Sequence, residues 1–152
     1  VAPAAALAGL APLRFADHLL VQAVGIAVAV AGIGLTLHAQ LGLGASWRIG
    51  VDESERTALV TAGPFAIVRN PIFTTLLLTL TGLVLMVPNP VAVAGLVIAI
   101  AGVQAQVRGV EEPYLRRVHT DAYRDYTARV GRFLPWVGRT RDEANDAARH
   151  HN

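Results

Sequence analysis

The run PIFTTLLLTLTGLVLMVPNPVAVAGLVIAIAGVQAQV, Pro71–Val107, goes 37 residues without Asp, Glu, Lys or Arg. It is broken once, at Pro88-Asn89-Pro90. Two prolines around an asparagine cannot continue a helix, and asparagine favours a tight turn. The run therefore reads as a helical hairpin with arms Ile72–Val87 and Val91–Val107. At 1.5 Å per residue each arm reaches about 24–26 Å, somewhat short of a ~30 Å hydrocarbon core.

Upstream, Leu19–Leu41 adds 23 residues without a formal charge, about 34 Å of helix and enough to span. Gly25, Ala29 and Gly32 within it permit close helix–helix approach. Residues 1–13 are apolar but too short to cross, and lack the basic start of a signal peptide. They read as a partial N-terminal apolar segment. Composition agrees with a membrane protein: 53% hydrophobic residues against 16% charged, and a mean hydropathy of +0.46, are too apolar for an ordinary soluble domain.

Several chemistries fall away at once. The chain has no cysteine, which removes disulfides, thiolate metal sites and cysteine nucleophiles. His150-His151 is only a pair in a polar tail and is not read as a metal site. The 13 basic residues are all arginine, without a dense basic patch interleaved with aromatics, so no nucleic-acid partner is expected.

The polar parts lie at the ends of the apolar ones. Gly42–Asn70 is a connector of balanced charge. From about residue 111 to 130, Leu115, Val118, Ala122 and Tyr126 fall at helical spacing among charged residues, predicting a cytoplasmic amphipathic helix at the membrane interface. Residues 138–152 are polar and of mixed charge, and are expected to be disordered. The fold expected is all-α: a polytopic membrane helical protein, its domain covering 1–137, with a hairpin and a C-terminal amphipathic helix. A hairpin returns the chain to its starting side. Connector and C-terminal region therefore share one face, with three arginines in the first and nine from Arg108 onward, against Arg14 alone on the other. The positive-inside rule puts them in the cytoplasm, as expected for a bacterial inner membrane.

Two polar clusters meet at that face. Gly63-Pro64 and Arg69-Asn70-Pro71 precede the hairpin; Arg108 and Glu111-Glu112 follow it. Taken singly, each residue reads as an interfacial anchor or a helix cap. Together they offer a zwitterionic ligand one cationic partner, one anionic partner and open backbone donors. The ends of a hairpin are neighbours, so Arg69 and Asn70 should lie within about 10 Å of Glu111 and Glu112.

The sequence GPFAIVRNPIF, followed across the hairpin by EEPYLRRVHTDAYRDYTARVGRFLP, resembles the isoprenylcysteine carboxyl methyltransferase family of integral membrane methyltransferases. The likeness covers roughly Leu41–Pro135. It rests on a G-P-[YF]…R-[HN]-P-x-[YF] element and an E-E-x-x-L…Y-x-x-Y…V-x-R-F-x-P element in that order. It implies S-adenosylmethionine as methyl donor and a lipophilic small-molecule acceptor entering from the bilayer lipids. By motif, Gly63, Val68, Arg69, Asn70, Pro71 and Phe73 would wall the cofactor pocket. Glu111 and Glu112 would meet the donor's ammonium group. Tyr123 and Tyr126 match the paired tyrosines, and Arg132 the basic residue before Phe-x-Pro.

The sequence departs from that pattern at Asn70, where eukaryotic members have histidine, at Phe73 for tyrosine, and at His119-Thr120 for Phe-Gly. Catalytic roles are expected for Arg69, Glu112, Tyr126 and Arg132. With a carboxylate acceptor, Arg69 or Arg132 could position it by a bidentate pair. With an amine acceptor, as in a phospholipid or lipid-amine N-methyltransferase, Glu111, Glu112 or Tyr126 could take the proton. A non-catalytic membrane scaffold is the third reading.

Overall fold

The computed structural model describes residues 19–43 and 59–140. The expectations for residues 1–13, for residues 44–58 of the connector and for residues 141–152 of the tail lie outside the described residues. Among the described residues the chain is helical, with a single isolated parallel bridge, Val68 to Gly131, and no sheet.

Helix α1, Leu19–Leu43, is 25 residues long, two residues longer than expected at its C-terminal end. A 3₁₀ turn at Gly63–Ala66 leads to α2, Pro71–Met86. Pro71 stands in the first turn of α2, where its missing N–H is one that the helix could not use. α3, Pro90–Gln106, again begins on a proline, and the buried Asn89 caps it: its Oδ1 accepts from the Ala92 N–H at 2.9 Å. The Pro-Asn-Pro stretch thus ends one helix and starts the next with its backbone donors satisfied.

Two features of the packing go beyond the pattern of the sequence. α2 packs chiefly on α1, and touches its sequence neighbour α3 only lightly. The cause is the small residues. A Cβ on Gly25 would lie 2.8 Å from the Gly82 carbonyl oxygen, and one on Gly82 would run into the backbone of Ala29. The two helices meet backbone to backbone. A hydroxyl pair joins them further along, Thr36 donating to Thr75 at 2.8 Å while Thr75 donates to the Pro71 carbonyl at 2.9 Å.

The second feature concerns the C-terminal helix α4, Glu112–Arg129. It is not set apart from α3 by a break. A π-helical turn, Val107–Glu111, joins the two, so that Pro90–Arg129 forms one helical run of 40 residues with non-helical geometry at Thr120. Of the stripe read from spacing, Tyr126 is buried within the protein. Ala122 is exposed and Leu115 and Val118 are half-buried, whereas Glu112, Tyr114, Tyr123, Tyr126 and Thr127 are buried.

Burial in α1 is inverted relative to a water-soluble protein. Its buried residues are Gly25, Ala29, Gly32 and Ala39, while Leu19, Leu20, Val30, Leu37 and Leu41 lie exposed. Large apolar side chains facing outward around a small-residue seam are stable where the surroundings are themselves apolar. α1 and the Pro90–Arg129 run are both long and apolar enough to cross a membrane. The chain is an integral membrane protein.

Candidate active site

The site forms where the segment after α4 folds back onto the start of α2. The Arg69 N–H donates to the Gly131 carbonyl at 2.8 Å, and the Asn70 N–H to that of Arg132 at 3.1 Å. The Asn70 side-chain amide donates to the same Arg132 carbonyl at 3.1 Å, and Thr74 Oγ1 to that of Phe133 at 3.0 Å. Three successive carbonyls, 131 to 133, are therefore held by residues 69, 70 and 74. Gly131 is required at the crossing: a Cβ there would collide with the Leu134 carbonyl oxygen.

This strap delivers Arg132 to Glu112. Arg132 Nε lies 2.7 Å from Glu112 Oε1 and Nη2 lies 2.9 Å from Oε2, a bidentate fork. From the other side Arg69 Nη1 donates to Glu112 Oε1 at 3.0 Å, and Arg69 Nη2 donates to the Gly138 carbonyl. Arg116, one turn along α4, stands at 3.9 Å from Oε2. The Arg69 and Glu112 side chains are 2% and 6% exposed, so this is a buried ion pair rather than a surface one. Burial alone would push the Glu112 carboxyl up; the Arg132 hydrogen bonds and the charges of Arg69, Arg132 and Arg116 outweigh it and hold the group below the usual carboxylate range. The Glu112 hydrogen bond likewise raises Arg132.

The paired tyrosines flank the cluster, ring centroids 6.2 Å apart. Tyr126 donates its hydroxyl to the Phe65 carbonyl at 2.6 Å, which pins the Gly63–Ala66 turn to α4. Gly63 opens that turn with φ +59°, a left-handed conformation that glycine adopts without cost. Burial raises both phenols, and for Tyr123 the Glu112 charge adds to it.

The residues singled out by sequence divide into two groups. Arg69, Asn70, Glu112 and Arg132 come together in one hydrogen-bonded network, with Arg69 and Glu112 far closer than the expected 10 Å. Val68 and Pro71 are buried beside it, and Tyr126 joins through the turn. Gly63 is exposed, while Phe73 and Glu111 are half-buried. No hydrogen bond among the described residues ties these three to Glu112. Glu111 sits in the π-turn with its hydrogen bond to Gln106; burial raises its carboxyl, and the Glu112 charge adds to the effect. Thr74, Gly131, Gly138 and the Phe65 carbonyl were missed, because each acts through backbone or a hydroxyl across some 60 residues of sequence. The only signal was the V-x-R-F-x-P element, which carried no indication of its partner.

The chemistry present is a rigid, desolvated carboxylate–guanidinium core and, next to Glu112 in sequence, a second carboxylate whose charge no arginine offsets. That carboxylate, at Glu111, suits an incoming ammonium group, so the residues fit an amino-acid-bearing cofactor such as S-adenosylmethionine.

A comparison with curated proteins finds no match. A comparison with protein families gives phospholipid methyltransferase over residues 20–122, about two-thirds of the chain. The matched region takes in α1, the Arg69-Asn70-Pro71 turn and Glu111-Glu112, and ends just before Tyr123. It names a different family from the isoprenylcysteine carboxyl methyltransferases that the motifs resemble, while agreeing on methyl transfer from S-adenosylmethionine within a membrane. With this match, the apolar spanning helices and the buried polar core at their rim, the chain belongs to the phospholipid methyltransferase family, as a membrane-embedded enzyme that transfers a methyl group from S-adenosylmethionine to a small lipophilic molecule.

Proposed function

We propose that the methyl acceptor is the amine of a lipid headgroup, and that transfer takes place at the cytoplasmic rim where α2, the π-turn and the strap 131–138 converge. The observation that carries this choice is the commitment of both arginines. Arg69 and Arg132, the groups that could position a carboxylate acceptor, are both engaged with Glu112, and Arg69 also with the Gly138 carbonyl. The phospholipid methyltransferase match supports the same acceptor class.

S-adenosylmethionine supplies a methyl group already activated on a sulfonium, so the protein needs only to align and desolvate the acceptor. We assign Glu111 to the donor's ammonium group, with Val68, Asn70, Pro71 and Phe73 as neighbouring wall. Glu112, Arg69 and Arg132 fix the geometry of that wall. An amine must reach the site neutral. Glu112, held below the usual range, is a poor proton acceptor, and Tyr126 is already donating to Phe65 with its own proton held more tightly than usual. Deprotonation then falls to water at the rim, and turnover rises with pH toward the headgroup amine's own value.

The test is to incubate membranes containing the protein with methyl-labelled donor, extract the lipids and treat the product with mild alkali. An N-methyl label stays on the headgroup fragment. Release of labelled methanol would identify a methyl ester, and the carboxylate acceptor of the isoprenylcysteine-type enzymes would replace the amine. A labelled donor that transfers nothing to any lipid, with the protein folded, would favour the scaffold.

A further inference from the structure

We propose that the turn Leu134–Val137 is an interfacial wedge: its apolar tip sits in the headgroup region of the bilayer that holds the spanning helices, beside the rim of the active site. Leu134, Trp136 and Val137 are 58%, 73% and 60% exposed. They belong to a stiff turn, not a loose tail. The Val137 N–H donates to the Leu134 carbonyl at 3.2 Å, and the Arg132 N–H to the Val137 carbonyl at 2.8 Å. Trp136 is a non-glycine held in the left-handed region, at φ +64°. A bulky side chain is rarely held in that conformation, and here it aims an indole away from the protein instead of into it.

The occupant is argued from depth and charge. The uncharged run begins at Pro71, and Thr74, one turn inside α2, holds the Phe133 carbonyl. The backbone next to Leu134 is therefore fixed at the level where α2 enters the apolar phase. Like the wedge, that helix leaves large apolar side chains exposed, Leu76 and Leu78 among them. Tryptophan prefers this boundary because its ring is apolar and its N–H is not. The exposed Arg139, just beyond Gly138, adds a cation where lipid phosphates lie. The same short loop carries Arg132 at its base, so the wedge also sets the height of the Arg132–Glu112 fork relative to the leaflet from which an acceptor arrives. This reading requires a membrane but no particular acceptor, and its test does not involve activity.

The chain contains two tryptophans and no cysteine, which makes both probes clean. In a Trp47→Phe variant reconstituted into phosphatidylcholine vesicles, Trp136 is the sole indole emitter. Lipid brominated near the carbonyl end of its acyl chains should remove most of the emission, and lipid brominated near the methyl end much less. Emission with the wavelength of water-exposed indole, unquenched by either lipid, would overturn the proposal, as would stronger quenching by the deep bromines. Independently, a Leu134→Cys variant carrying a nitroxide should be relaxed more by membrane-soluble oxygen than by a water-soluble nickel chelate. The reverse order would overturn it even if the tryptophan variant fails to fold.

Discussion

At the scale of single residues, Glu112 decides most. Its two oxygens receive two buried or half-buried guanidinium groups, so Glu112→Gln leaves Arg69 and Arg132 facing each other without a counter-charge. Breaking a buried pair in this way costs about 3–5 kcal/mol. The variant should melt well below the parent in detergent, and activity lost with it would then report folding rather than chemistry. The pH dependence follows in sign. The folded Glu112 carboxyl lies below its unfolded value, so its contribution to stability is complete above the ordinary carboxylate range and is lost as pH falls through the lowered folded value. An acid melting series should show this loss in the parent and a flatter response in Glu112→Gln; equal slopes would remove Glu112 from its central place. Tyr126→Phe separates structure from catalysis. It leaves the Phe65 carbonyl without its donor, for a loss of about 1–3 kcal/mol, while turnover per folded molecule should stay within a few-fold of the parent. A collapse of turnover in a variant shown to be folded would make Tyr126 a chemical participant. The sequence alone made Arg69, Asn70 and Glu112 legible as polar groups at a membrane rim, while Arg132 came from the motif resemblance. It did not reveal that both arginines bond to the glutamate. That depends on the strap 131–138 reaching back across the helices, which no local pattern encodes.

At the scale of elements, the same glycine chemistry has opposite consequences on two helices. Gly82 sits where α2 meets the backbone of α1, and any Cβ there must push the helices apart. Gly82→Leu should overpack that contact by about 1–3 kcal/mol or more and also separate Thr36 from Thr75. Gly95 on α3 has no heavy atom within 4 Å of a built Cβ. Gly95→Ala should be neutral or stabilise the helix by up to about 1 kcal/mol. Melting temperatures of the two variants check the assignment of partners; comparable destabilisation in both would mean that α3, too, is packed against a neighbour. Helix positions were legible to within two residues, because proline punctuation and the absence of charge are local signals. The partner choice was not. Sequence adjacency favoured α2 with α3, whereas the Gly25, Gly32 and Gly82 surfaces fit only each other. The periodicity of α4 followed its apolar residues, whereas burial within the protein follows the glutamate and tyrosines that the arginines and the Phe65 carbonyl draw inward.

For the whole molecule, the 40-residue run from Pro90 to Arg129 sets the scale. Before the kink at Thr120, the run from Pro90 reaches about 45 Å at 1.5 Å per residue, well beyond the ~30 Å hydrocarbon core. Since α3 is the uncharged end and α4 the charged one, it is the α4 end that must project from the face that carries Glu112. The arginine bias of that half argues for the cytoplasm, and this orientation is open to a direct measurement because the parent chain has no cysteine to confuse it. Pro90 and Arg124, both exposed, mark the two ends. In intact cells a membrane-impermeant maleimide should react with a Pro90→Cys variant and spare Arg124→Cys, and lysis should expose the second. Labelling of Arg124→Cys from outside would invert the molecule and separate its active site from any cytoplasmic supply of S-adenosylmethionine. The experiment thus tests the functional reading together with the topology, because a methyl donor made in the cytoplasm can reach only a rim that faces it.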